Sequence, residues 1–310
     1  LAVSNSALNY TFSGSGSLGG SMTLVKDGTN ALTLGTANTY SGATTVKAGT
    51  LIMGNATALG AGAANATIQN GATLDINGNT VGSGSLQPVI ASGGGADGNG
   101  AIINSGADQI NALLNLTLTG DTTIGGTGQI GIRTSADAQP GLVANGHKLT
   151  KTGSNTLNLN GGQTVAGLTN VWFTDIGDID IQQGIISFER RAALGNPANT
   201  ITVEADAALN LFSLNPSLPV PTNRVVLNNG ALQGTGAVGD ANTFGGQITL
   251  NGGSNSINVV QWIGTSGQTV LNLNGPIVGS GGVQFSASNT VIQLAGNNTY
   301  SGNTVVANGT

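Results

Sequence analysis

Apolar and small polar residues alternate in short runs along the whole chain. Leu32-Thr33-Leu34, Thr44-Thr45-Val46, Thr50-Leu51-Ile52-Met53 and Thr73-Leu74-Asp75-Ile76 fall in the first quarter. Leu114 to Leu118, Thr156-Leu157-Asn158-Leu159, Ile201-Thr202-Val203 and Leu209-Asn210-Leu211 follow. Gln247 to Leu250, Val270 to Leu273 and Val291 to Leu294 continue the pattern in the last third. A period of two predicts half-buried strands. Neighbouring runs often lie about ten residues apart, separated by Gly, Asn, Ser and Thr, which is an all-β spacing. Those residues tolerate positive φ or bond locally, so they turn the chain. The best helical candidate, 105–113, is too short to be stable without tertiary packing.

The runs are also copied. Leu32, Leu34, Asn38-Thr39-Tyr40-Ser41-Gly42, Thr44 and Val46 recur 260 positions later as Ile292, Leu294, Asn298-Thr299-Tyr300-Ser301-Gly302, Thr304 and Val306; that copy ends in Gly309-Thr310. Gly49, Ala58, Leu59, Gly60, Ala72 and Leu74 recur 135 positions later as Gly184, Ala193, Leu194, Gly195, Ala207 and Leu209. Lys26, Gly28, Asn30, Leu32 and Leu34 recur 125 positions later as Lys151, Gly153, Asn155, Leu157 and Leu159. A sandwich has no reason to reuse modules in this way. A stacked coil does, because each coil exposes ladder edges that the next one satisfies. The prediction is an all-β, parallel β-helix forming a single elongated solenoid over 1–310. Coils of roughly 20 residues would give about a dozen or more rungs. Asn and Thr at the turns should bond along the axis to their equivalents one rung away.

Composition supports this reading. Of 310 residues 52 are Gly, while charged residues make up 7% and aromatics 4%. The charged residues that furnish exposed helix faces are scarce, and few large rings need room inside a narrow coil. A 38% hydrophobic fraction argues against disorder. Glycine has no every-third-residue period, which excludes collagen. Eight basic residues against thirteen acidic ones, a net charge of −5, argue against nucleic acid as a partner. No cysteine is present, so disulfides, thiol catalysis and cysteine metal sites are excluded. No apolar run reaches the roughly 18 residues of a membrane helix, and no signal peptide opens the chain. The start at Leu1 and the stop inside a repeated module predict a processed product, or a fragment of a longer repeat protein.

The string Lys26-Asp27-Gly28, Leu32-Thr33-Leu34, Asn38-Thr39-Tyr40-Ser41-Gly42, Thr44-Thr45-Val46 and Gly49-Thr50-Leu51 resembles the autotransporter-associated β-strand repeat. Residues 291–310 resemble a second instance. Lys151-Thr152-Gly153-Ser154-Asn155-Thr156-Leu157 resembles the opening of a third, without the tyrosine that follows in the other two. The resemblance implies a right-handed β-helix, export, a place outside the cell or on a bacterial surface, and a role in passenger transport and folding.

Parallel β-helices also carry polysaccharide lyases and hydrolases, so acidic clusters matter. The densest is Asp175, Asp178 and Asp180. On a strand, Asp178 and Asp180 would share a face about 6.5–7 Å apart, a separation open to acid–base work on a glycosidic bond or to a hard cation. The competing reading has Ile179 and Ile181 facing the core and the aspartates facing water. His147, the only histidine, follows an Asn-Gly turn and reads as solvated. Gly14-Ser15-Gly16-Ser17-Leu18-Gly19 fits a dinucleotide fingerprint only if a helix follows. Residues 92–100 read as a flexible excursion. The stretch 213–224 carries three of the seven prolines and should leave the sheet. Trp172, Phe173 and Trp262 are available either to stack on sugars or to fill wider coils.

The expected function is non-enzymatic: a stalk, adhesin, matrix or fibre segment, with no cofactor and no metal. Its partners would be neighbouring coils or other copies through the coil ends, and glycans or cell surfaces, without membrane insertion by this segment. The alternative is a carbohydrate-active enzyme using Asp175, Asp178 and Asp180.

Overall fold

A computed structural model describes residues 1–60, 64–81, 87–133, 141–162, 171–263, 268–288 and 290–307. The chain is a parallel β-solenoid without helix among these residues, and it divides into two compact units, Leu1–Asn158 and Leu159–Thr310.

In the first unit, alternation places every second side chain of a strand inside the coil, and parallel stacking aligns those side chains across coils. One interior column runs Leu24, Thr44, Ala66, Val89, Leu116 and Leu142. A second runs Leu32, Leu51, Leu74, Ile102, Ile124 and Lys151. All twelve are buried. The outward partners of the first column, Val25, Thr45, Thr67, Ile90, Thr117 and Val143, are only half-buried. Continuous apolar columns supply the hydrophobic term, and the inter-coil ladders satisfy the backbone.

The second unit follows the same rule. Ile179, Ile201, Val225, Ile248 and Ile277 form one buried column. Ile186, Leu209, Leu232, Ile257 and Phe285 form another, and Val306 continues its register in the last coil, where it is exposed. Ladder partners lie between 19 residues apart, for Leu32 and Leu51, and 29 apart, for Ile248 and Ile277.

The repeats predicted at offsets 135 and 125 keep their geometry. Gly49 and Gly184 sit at φ 65° and 72°, Gly60 and Gly195 at 86° and 81°, and Gly28 and Gly153 at 80° and 71°. Leu74 and Leu209 are both core. Three expectations change. The helical candidate 105–113 contains the strand Gln109–Leu113, because Gln109 and Leu113 pair with Ile130 and Ile132 of the next coil. The loop at 92–100 is closed by hydrogen bonds: Gly100 N donates to Gly94 O, and Thr73 Oγ1 donates to Gly100 O while accepting from Ala96 N. The copy at offset 260 predicts an inward Leu294 like Leu34, yet Leu294 is 43% exposed whereas Leu34 is fully buried. The ladders remain parallel there; Leu294 pairs with Leu273 on one side and, among the described residues, with no strand on the other. Gly309 and Thr310 lie outside the described residues.

Candidate functional site

The acidic cluster is spread along one strand and its approach. Asp178 precedes Ile179–Ile181 and is exposed, and its Oδ1 accepts from Thr200 N at 2.8 Å. Asp180 is half-buried and its Oδ2 accepts from Gln182 Nε2 at 3.1 Å. Asp175 is half-buried on the turn before them. Ile176, Ile179 and Ile181 take the core side. Among the described residues no three His, Cys, Asp or Glu side chains group as a metal site would need. A cavity in the second unit is lined by Val171, Thr174 and Arg190, but by none of the three aspartates and not by Trp172.

The remaining sequence candidates separate cleanly. His147 follows Asn145 and Gly146 at φ 54° and 79°, a tight turn closed by His147 N donating to Ala144 O. Its Nδ1 lies 3.9 Å from Asp121 Oδ1 at the surface. No helix follows the glycines at 14–19, so nothing there cradles a pyrophosphate. Phe173 is buried. Trp172 is half-buried, with its indole nitrogen buried and unpartnered among the described residues. The side chain of Trp262 lies outside the described residues.

What the structure assembles instead is the repeated module. Asn38 is buried and ties three coils together. Its Oδ1 accepts from Leu18 N of the coil before, and its Nδ2 donates to Ala58 O of the coil after, at 3.0 and 2.8 Å. Tyr40 is fully buried and its hydroxyl shares a 2.6 Å hydrogen bond with Thr44 Oγ1. A Cβ on Gly42 would stand 2.3 Å from Met22 O, so the neighbouring coil leaves room for glycine alone. The second instance repeats this. Asn298 Oδ1 accepts from Ile277 N, the Tyr300 hydroxyl meets Thr304 Oγ1 at 2.7 Å, and a Cβ on Gly302 would fall 2.2 Å from Gly281. Asparagines tie other coils too, but mostly to backbone carbonyls, as Asn255 Nδ2 does to Gly282 O. The predicted Asn-on-Asn stacking occurs at Asn223 on Asn199 and at Asn251 on Asn228.

Two lysines complete the module, and their role was not anticipated. Lys26 and Lys151 are fully buried on the interior side of their strands. Lys26 Nζ donates to Asp27 O, Gly28 O and Ala48 O at 3.0, 2.7 and 3.0 Å. Lys151 Nζ donates to Thr152 O and Gly153 O at 2.5 and 2.7 Å. Each ammonium therefore bonds backbone carbonyls of the bend that follows its strand, replacing the water it lost on burial. Burial lowers both pKa values, to about 7 for Lys151, and Asp27 partly opposes the shift at Lys26. The available signal was Leu24-Val25-Lys26 and Leu149-Thr150-Lys151, where the period of two puts lysine on the side of leucine.

No curated protein matches the chain, and no solved structure does. The passenger-associated-transport-repeat family matches residues 24–53, 149–172 and 292–310. The segment at 149–172 is therefore similar to the family despite lacking the tyrosine. In these three segments the chain carries the signature of an autotransporter passenger-type β-helix.

Proposed function

We propose that this chain is a non-enzymatic structural or adhesive segment of an exported passenger, displayed at a bacterial surface or released from it. The observation that carries the reading is the use made of the repeat's polar side chains. Asn38, Lys26 and Tyr40 are engaged in bonds within or between coils, so the module is a stacking device. Such a stack presents a long polar face to glycans or cell surfaces and offers proteases few unpaired segments. Its end coils take further coils of the same kind, or another copy, through their open ladders.

The test is to incubate the purified chain with acidic and neutral polysaccharides and follow new reducing ends and unsaturated products, alongside limited proteolysis. No release and slow proteolysis are expected. Cleavage that disappears in an Asp178→Asn/Asp180→Asn double variant would replace this reading with the carbohydrate-active one.

A further inference from the structure

Residues 213–223 leave the ladders between Ala207–Phe212 and Arg224–Asn228, as their prolines require. With 192–197 they enclose a cavity of about 350 Å³ within the second unit, large enough for a small organic ligand. Leu194, Leu214, Leu218, Pro219 and Val220 make its walls apolar. Among the described residues Arg190 is the single charged one lining it, and no acid does.

The walls are fixed in place. Ser213 Oγ donates to Asp240 Oδ2, Leu214 N to Asn242 Oδ1, Asn215 N to Arg190 O and Gly245 N to Pro221 O. Asn223 Nδ2 donates to Leu194 O and Asn196 O across the base. Pro216, Pro219 and Pro221 add fixed φ angles. The excursion is therefore held off the space it surrounds. Three non-glycine residues at or beside the cavity have positive φ: Phe173 at 62°, Arg190 at 60° and Ser213 at 47°. Strain of this kind persists only where the surroundings enforce it, and it gathers at ligand clamps.

The Arg190 guanidinium has no hydrogen-bond or ion-pair partner among the described residues. A planar cation beside apolar walls, without a counter-charge, is matched by a carboxylate accepting two parallel N–H bonds. A phosphate dianion fits less well, since one cation and apolar walls cannot replace its hydration. We propose that this cavity binds a small organic monoanion, with its carboxylate on Arg190 and a compact aromatic or branched apolar body against the prolines and leucines.

The test titrates the full chain with 2-naphthoate and with neutral 2-naphthalenemethanol by calorimetry. Arg190→Asn removes the cation while keeping a residue that tolerates positive φ. Ala193→Phe fills the space, and folding of both variants is checked by circular dichroism. Saturable binding of naphthoate is expected, about tenfold or more tighter than the alcohol. Arg190→Asn should erase that preference, and Ala193→Phe should abolish binding of both probes. Absence of saturable binding to the unaltered chain at millimolar probe would overturn the proposal. So would equal affinity for the two probes, which needs no variant, or a preference that survives Arg190→Asn.

Discussion

The first and last copies of the repeat have the same sequence motif and opposite surroundings. Three backbone bonds toward the preceding coil are the same in both. Gly35 N donates to Phe12 O and Ala295 N to Leu273 O; Thr39 N to Leu18 O and Thr299 N to Ile277 O; Ser41 N to Gly20 O and Ser301 N to Gly279 O. Among the described residues, the bonds directed toward a following coil exist only in the first copy. There, Leu34 O accepts from Gly54 N, Asn38 reaches Ala58 O, and Met53 stacks on Leu34. In the last copy Leu294 is 43% exposed and Val306 71%. The module is a one-sided adaptor: its motif specifies docking onto the coil before, and its burial comes from the coil after.

Truncating the matched leucines should separate the two copies most. Leu34→Ala empties a fully buried site and should cost about 3–4 kcal/mol. Leu294→Ala should stay within about 0.5 kcal/mol. Urea midpoints measure both. If Leu294→Ala becomes costly as protein concentration rises, a second copy is covering that end, which would sharpen the stacking proposal.

The buried lysines provide the next contrast, because the position matching Lys26 in the last copy is Ser286. Lys151 has a folded pKa of about 7 against an ordinary 10.5. Between those values the unfolded chain binds the extra proton, so stability rises with pH, by at most about 1.4 kcal/mol per pH unit from this group. Below about pH 7 the cost of burying the ammonium is present in full. Unfolding measured from pH 7 to 9.5 should show the rise, and Lys151→Met should flatten it. An unchanged slope in that variant would mean the carbonyl cage keeps the ammonium charged throughout.

Asn38→Ala removes acceptors for Leu18 N and Thr36 Oγ1 and a donor to Ala58 O, and should cost about 2–3 kcal/mol. Asn298→Ala loses the acceptor for Ile277 N, a loss of about 1 kcal/mol. Equal losses would show that the backward bond carries the whole effect and that the tie to Ala58 is neutral.

Much of the solenoid was legible because a strand's period of two and its copies at fixed offsets are local facts, visible at Leu32-Thr33-Leu34 and Leu74 without any contact known. The exposure of Leu294 was not legible, since burial in a stack is set by a neighbour that the motif does not encode. The interior place of Lys26 was overlooked for a related reason. Alternation put it inside, but its charge argued for water until the carbonyls of Asp27, Gly28 and Ala48 supplied a substitute. The Arg190 cavity left only half a trace: the prolines of 213–224 marked the excursion, while its opposite wall, 192–195, gave no sign of meeting it.

The smallest expected difference is also the most local. The hydroxyls of Tyr40 and Tyr300 make the same contact with Thr44 and Thr304, at 2.6 and 2.7 Å. Geometry alone would therefore predict equal effects for Tyr40→Phe and Tyr300→Phe. Burial decides otherwise. Thr44 is fully buried, so losing the phenol leaves its hydroxyl without that partner in an apolar column, at a cost of about 1–2 kcal/mol. Thr304 is exposed, and water replaces the phenol there, so the change should stay within about 0.5 kcal/mol. Double-variant cycles with Thr44→Val and Thr304→Val isolate each pair. A coupling at Tyr300 as large as that at Tyr40 would show that the last coil is covered in solution, and the one-sided description of the module would then fail.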